Sequence, residues 1–159
     1  MDIPDFITGS PLFFEMHTAE IMQIIEHCRV INYEPGDCIL NIGDRGQSLF
    51  VITLGEAVIE RSRNNKDIVV QTVTTGDVFG EVALMAQKLR QASVIAKTQT
   101  TVLEISYDTI FGLYQKKPKI FGILILNIAR LIGKRLSGAY DHIADLETLM
   151  ILKGYKKAG

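Results

Sequence analysis

The sequence predicts a mainly β fold with flanking helices: an antiparallel β-roll, of the double-stranded β-helix or jelly-roll type, entered and left through helices. Three observations carry that expectation. Between 31 and 106, short runs rich in Val, Ile and Thr are cut by Gly-Asp and Pro-Gly turns. A helix-forming insert at 81–85 interrupts those runs. On either side, apolar residues recur at helical spacing. With 159 residues, 47% hydrophobic and 22% charged, the chain suits one domain that buries a core without staples.

Taken in order, that single domain (1–159) divides into three zones. In 1–30, Thr18 is expected to cap a helix with Ile21, Ile24, Ile25 and Cys28 on one face. In 31–106, the β-roll, strands are expected over roughly 29–35, 37–43, 48–61, 67–73, 92–98 and 100–106. Their turns fall at Pro35-Gly36-Asp37, Gly43-Asp44-Arg45-Gly46, Asn64-Asn65-Lys66 and Gly76-Asp77. In 107–152, a short helix over 107–115 precedes Pro118, which suits the first turn of a second helix reaching about Leu152. The last six residues, GYKKAG, are expected to fray.

The bulk numbers exclude several classes. A net charge of −1 gives no global field for DNA, RNA or an acidic membrane, so any bound anion needs a local site. The N-terminus lacks a basic leader, and Asn127, Arg130, Lys134 and Arg135 interrupt the one long apolar stretch, 120–136. That stretch reads as a packed helix and not a membrane span, and a cytoplasmic location is expected. Cys28 and Cys38 form neither a CxxC pair nor a disulfide framework. His17, His27 and His142 lack metal-ligand spacing, and Asp44 and Asp77 sit in turns. No nucleophile–base pair stands out, so no catalytic residue, metal or resident cofactor is expected.

The chemistry is concentrated in GDVFGEVALMAQKLRQASV, residues 76–94. A short helix set between strands exposes unpaired N–H groups and the positive end of its dipole, both of which favour an anion. Gly80 permits close approach to the backbone. Arg90 lies nine residues after Glu81 and can turn back to the same anion as a bidentate partner. Glu81 would repel a phosphate but would accept a hydrogen bond from a sugar hydroxyl, so the pair together suggests a sugar phosphate or nucleotide. Glu81 also has a plainer reading, as a first-turn acid favoured by the helix dipole.

FGEVALMAQKLRQASV resembles the phosphate-binding cassette of the cyclic-nucleotide-binding domain family. Phe79, Gly80, Glu81, Val82, Ala83 and Leu84 match its first half, and Arg90, Ala92, Ser93 and Val94 its second. The flanks are similar too, with a Pro-Gly, a Gly-Asp and a later Gly-Glu (Gly55-Glu56) marking the turns of the opening strands, so the resemblance runs from about Ile7 to Leu149. It implies that Arg90 pairs with the cyclic phosphate, that Glu81 takes the ribose 2′-hydroxyl, and that backbone amides after Glu81 reach phosphate oxygens. Two residues depart from the pattern: Leu89 replaces a frequent proline, and Gln91 replaces a small residue at a position that helps choose the base in some members.

The resemblance further implies a C-terminal helix that closes over the base, with Tyr140 stacking on it or donating to it. Leu136, Ala139, Ile143, Leu146 and Met150 alternate by three and four, as a coiled-coil seam does. A homodimer through this helix is the preferred expectation, with docking on its own roll as the other. No helix-turn-helix follows within 159 residues, so direct DNA binding is not expected, and output would pass to an unidentified protein. The expected function is a regulatory module for a 3′,5′-cyclic nucleotide, cyclic AMP favoured over cyclic GMP. The alternative is an interaction protein that keeps the fold with a degenerate pocket. A cupin-type enzyme ranks below both, because 31–106 contains no histidine.

Overall fold

Alternation of apolar and polar residues gives each strand a face to bury, and the glycine turns decide where one strand stops. A computed structural model describes residues 5–63 and 66–153. The helices α1 (Asp5–Thr8) and α2 (Thr18–Ile25), with a 3-10 turn over Pro11–Phe13 between them, precede β1 (Arg29–Tyr33), β2 (Cys38–Leu40), β3 (Ser48–Leu54), β4 (Glu56–Arg63), β5 (Lys66–Thr74) and β6 (Val78–Phe79). Then come α3 (Glu81–Ala86), β7 (Ser93–Ala96), β8 (Thr100–Ser106), α4 (Tyr107–Lys116) and α5 (Pro118–Leu152). Two antiparallel four-stranded sheets, ordered β1-β8-β3-β6 and β2-β7-β4-β5, form the expected β-roll.

The strand expected over 48–61 is in fact two. Gly55 breaks it at φ +90, and a Cβ there would lie 2.3 Å from the Gln99 carbonyl oxygen. The chain therefore leaves one sheet at Leu54 and enters the other at Glu56. Hydropathy continues across the break, which hides it from a periodicity reading. The helix start is also corrected. Thr18 is already helical, and the residue before it, His17, donates its backbone N–H to the Glu20 carboxylate (2.9 Å). The turn at Asn64 and Asn65 and the tail GYKKAG lie outside the described residues.

The core has two layers. Inside the roll, Phe50, Ile52, Ala57, Val73, Phe79, Val94, Ala96 and Val102 pack between the sheets. Outside it, Leu49, Val51, Leu103 and Ile105 of the other sheet face meet Leu12, Phe13, Ile21, Ile24, Leu124 and Ile128 from the helices. Cys28 joins this second layer, where burial pushes its thiol up to about 12, and both cysteines are free. Among the described residues no helix is long and apolar enough to cross a membrane.

Asn127 interrupts the apolar face of α5 for a reason. It is 1% exposed, and its Nδ2 donates to the carbonyls of Leu12 (3.0 Å) and Phe14 (2.7 Å), joining α5 to the N-terminal segment. Asn127→Leu leaves those acceptors short of a donor and is expected to cost about 2 kcal/mol. Urea unfolding measures this, and a variant as stable as the parent would contradict the role.

Candidate functional site

The insert expected to carry the chemistry is the β6–α3–β7 connection, and the structure packs two of its three charged residues inward, leaving Lys88 exposed. Glu81 is 0% exposed and Arg90 is 6% exposed. A buried guanidinium needs acceptors, and Arg90 finds main-chain ones. Its Nη1 donates to the Gly80 carbonyl and its Nη2 to the Ser48 carbonyl, each at 2.6 Å. Beneath it lies the Phe50 ring, 5.9 Å from the guanidinium carbon, which in turn stacks on Phe79 at 5.3 Å. Burial pulls the Arg90 pKa down, and the carboxylates of Asp44, Glu81 and Glu104 push it back up. Arginine starts so high that it stays charged.

Gly80 sits at φ +83, and a Cβ there would lie 2.9 Å from Arg90 Nη1. Glycine is thus required both for the turn into α3 and for room beside the guanidinium. Its carbonyl accepts from Arg90 and the next residue is Glu81, so the guanidinium is anchored at the residue adjoining Glu81. The backbone on the far side is fixed as well: the Arg90 N–H donates to the Asp44 carbonyl (2.7 Å), and the Gly43 N–H donates to the Arg90 carbonyl (2.9 Å).

Glu81 has a partner that the sequence reading missed. Arg135 of α5 donates through Nη1 to Glu81 Oε1 and through Nη2 to the Val78 carbonyl. The Arg135 side chain is 27% exposed, so this is a largely buried ion pair between the insert and the last helix. Two polar atoms of the site remain buried without a partner: Glu81 Oε2, an acceptor, and Arg90 Nε, a donor.

The other expected site residues separate into groups. Phe79 is a core residue of the roll and reaches the site only through Phe50. Ala83 and Leu84 are buried in α3, while Val82 is exposed. Gln91 is exposed and bonded to Arg61 of β4. Ala92 lies just before β7, and the Ser93 hydroxyl accepts from the Ile42 N–H (3.1 Å), which gives it a structural task. Tyr140 is 64% exposed and does not cover the insert. It lies on the stretch of α5 past Arg135, where every described residue is exposed. Ser48, Phe50, Arg61 and Arg135 are the additions. Of these only Arg135 left a signal, as a cation inside an apolar helical stretch.

A β-roll with an inserted cassette, an inward arginine and glutamate on that insert, and a long helix tied to it define a ligand-binding regulatory domain of the cyclic-nucleotide type. The chain belongs to the cyclic nucleotide-binding domain family, whose model matches residues 30–117. It is 32% identical over 95 residues to a cAMP-dependent protein kinase regulatory subunit of Mycosarcoma maydis, covering 60% of this chain and 18% of that one. It is 25% identical over 127 residues to the cAMP-activated global transcriptional regulator CRP of Pasteurella multocida, covering 79% and 59%. The Thermus thermophilus catabolite activator protein superposes with a TM-score of 0.78 at 25% identity, over 87% of this chain and 63% of that one. The chain thus spans less than two thirds of each of these relatives.

Removing one member of a buried ion pair strands the other. Arg135→Met is therefore expected to destabilise the fold by about 3 kcal/mol. Adding Glu81→Leu in the same chain should return most of that loss. Denaturant unfolding of the two variants and the parent reads the difference; equal stability of all three would show that the pair does not couple α5 to the insert.

Proposed function

We propose that the domain binds a 3′,5′-cyclic nucleotide in the cassette and passes its occupancy to α5. The observation that carries this reading is the pair of buried, unpartnered atoms. Glu81 Oε2 lacks a donor and Arg90 Nε lacks an acceptor, a rare and costly combination in one small region. A ribose hydroxyl supplies the missing donor and a cyclic phosphate the missing acceptor. Cyclic AMP is the ligand favoured, because the kinase subunit and the bacterial regulator that resemble this chain both carry it in their names. Both are also named as regulators, which supports a regulatory rather than catalytic role.

Thermal melting with and without cyclic AMP and cyclic GMP tests the reading. At 100 times the dissociation constant, ligand is expected to add about 2.7 kcal/mol of stability. Arg90→Ala is expected to abolish that gain, because the anion loses its charged partner. A melting point that neither nucleotide moves would favour a fold-retaining interaction protein.

The route to output runs through Arg135, since Glu81 is common to the ligand seat and α5. A ligand shifts the helix only as far as its affinity differs between the helix positions. Past Arg135 the helix stands clear of the roll, with Leu136, Ile143, Leu146 and Met150 all exposed along one seam. We assign this seam to a homodimer contact, from which an unidentified partner protein would read the signal. Ile143→Glu is expected to turn a dimer into a monomer in sedimentation equilibrium. A parent chain that is monomeric at high micromolar concentration would refute the assignment.

A further inference from the structure

Gln91 follows Arg90 directly and brings a long amide to the edge of the ligand seat. That side chain does not hang free. Arg61 of β4 donates from Nε to the Gln91 main-chain carbonyl (3.0 Å) and from Nη2 to Gln91 Oε1 (3.1 Å). Two neighbouring guanidinium nitrogens thus grip both acceptors of a single residue, a fork that a lysine does not reproduce.

Two consequences follow from elementary geometry. In a planar trans peptide the N–H of residue 92 points opposite to the carbonyl of residue 91. Drawing the Gln91 carbonyl toward β4 therefore turns the Ala92 N–H to the other side. An amide also has one acceptor and two donors, and a guanidinium has no acceptor at all. Oε1 is therefore the atom committed to Arg61, and the free end of Gln91 is Nε2 with its two N–H donors. Released from Arg61, the amide is able to swing Oε1 toward an anion beside Arg90, where it is repelled and takes up room.

We propose that Arg61 is a positioning residue of the ligand site: it holds the oversized Gln91 so that the anion seat beside Arg90 stays open and meets only donors. This rests on the cyclic-nucleotide reading above. Arg61 and Gln91 are both exposed, where a hydrogen-bonded pair adds little to stability, so the role shows in binding and not in melting.

Calorimetric titration of the full chain with cyclic AMP and with cyclic GMP tests the proposal on the parent, Arg61→Ala, Arg61→Lys, Gln91→Ala and the Arg61→Ala/Gln91→Ala pair. Arg61→Ala is expected to weaken binding about tenfold, with the ligand-free melting point unchanged. Arg61→Lys, which keeps the charge but loses the fork, should be nearly as weak. The double variant should bind as Gln91→Ala alone does, because with no long amide left to hold, the loss of Arg61 changes nothing further. Parent-like affinity in Arg61→Ala overturns the proposal. So does full rescue by lysine, which would make the effect one of charge alone. A double variant markedly weaker than Gln91→Ala also overturns it, since Arg61 would then touch the ligand itself. If the parent binds neither nucleotide, the ligand reading fails first and the proposal falls with it; that result is recognisable because Arg90→Ala is then silent too.

Discussion

A guanidinium taken out of water needs acceptors, and the two outer nitrogens of Arg90 impose that requirement on the rest of the domain. Its acceptors are main-chain carbonyls at Gly80 and Ser48, from two segments far apart in sequence. To satisfy it, β3 must begin beside the insert, and the chain must turn through a left-handed glycine to aim the Gly80 carbonyl inward. The roll interior contributes the Phe50 face, backed by Phe79. A hydrophobic interior alone would not hold a cation in this place; the carbonyl pair makes it tolerable. The guanidinium is therefore oriented before any ligand arrives, and less ordering entropy is lost on binding.

Glu81 faces the same problem with the opposite sign and solves it differently. Its partner is not the neighbouring arginine but one brought by the last helix. The first part of α5 is held by ordinary packing, through Ile120, Leu124 and Ile128, and by Asn127. Arg135 comes at the end of that packed stretch, before the exposed remainder. The final contact between the roll and the helix is thus electrostatic and sits at the cassette. Glu81 is thus in contact with α5 at the place where the helix passes from buried to exposed.

Much of the architecture was legible in the sequence, because turns and periodicity report on backbone and burial. Gly36, Gly43 and Gly76 mark turns where φ is positive, and Pro118 opens α5 as expected. At Gly55 the periodicity reading runs one strand straight through, whereas the family resemblance marks Gly55-Glu56 as a turn; the approach of Gln99 makes it a corner. At the site, Arg90 and Glu81 stood out by their placement at either end of a short helix-forming insert between strands. Their partners did not. A carbonyl such as that of Ser48 has no side-chain signature, and Arg135 is distant in sequence, so neither follows from local spacing.

The two oxygens of Glu81 decide what kind of coupling the site permits. Oε1 is engaged by Arg135, while Oε2 is buried and unpartnered. A hydroxyl that donates to Oε2 adds to the ion pair without displacing it, and hydrogen bonds sharing a carboxylate in a dry environment need not compete. A hydroxyl that took Oε1 would have to break a largely buried pair, at a cost that removes much of its own binding energy. The geometry thus favours a ligand that completes the network over one that unlocks it. By linkage, a helix held more firmly in the occupied state is also one whose fixation raises ligand affinity. On the function proposed above, filling the cassette would give the free half of α5 a better-defined base, and a partner seated on Leu136 to Met150 would sense that through the angle at which the helix leaves the roll.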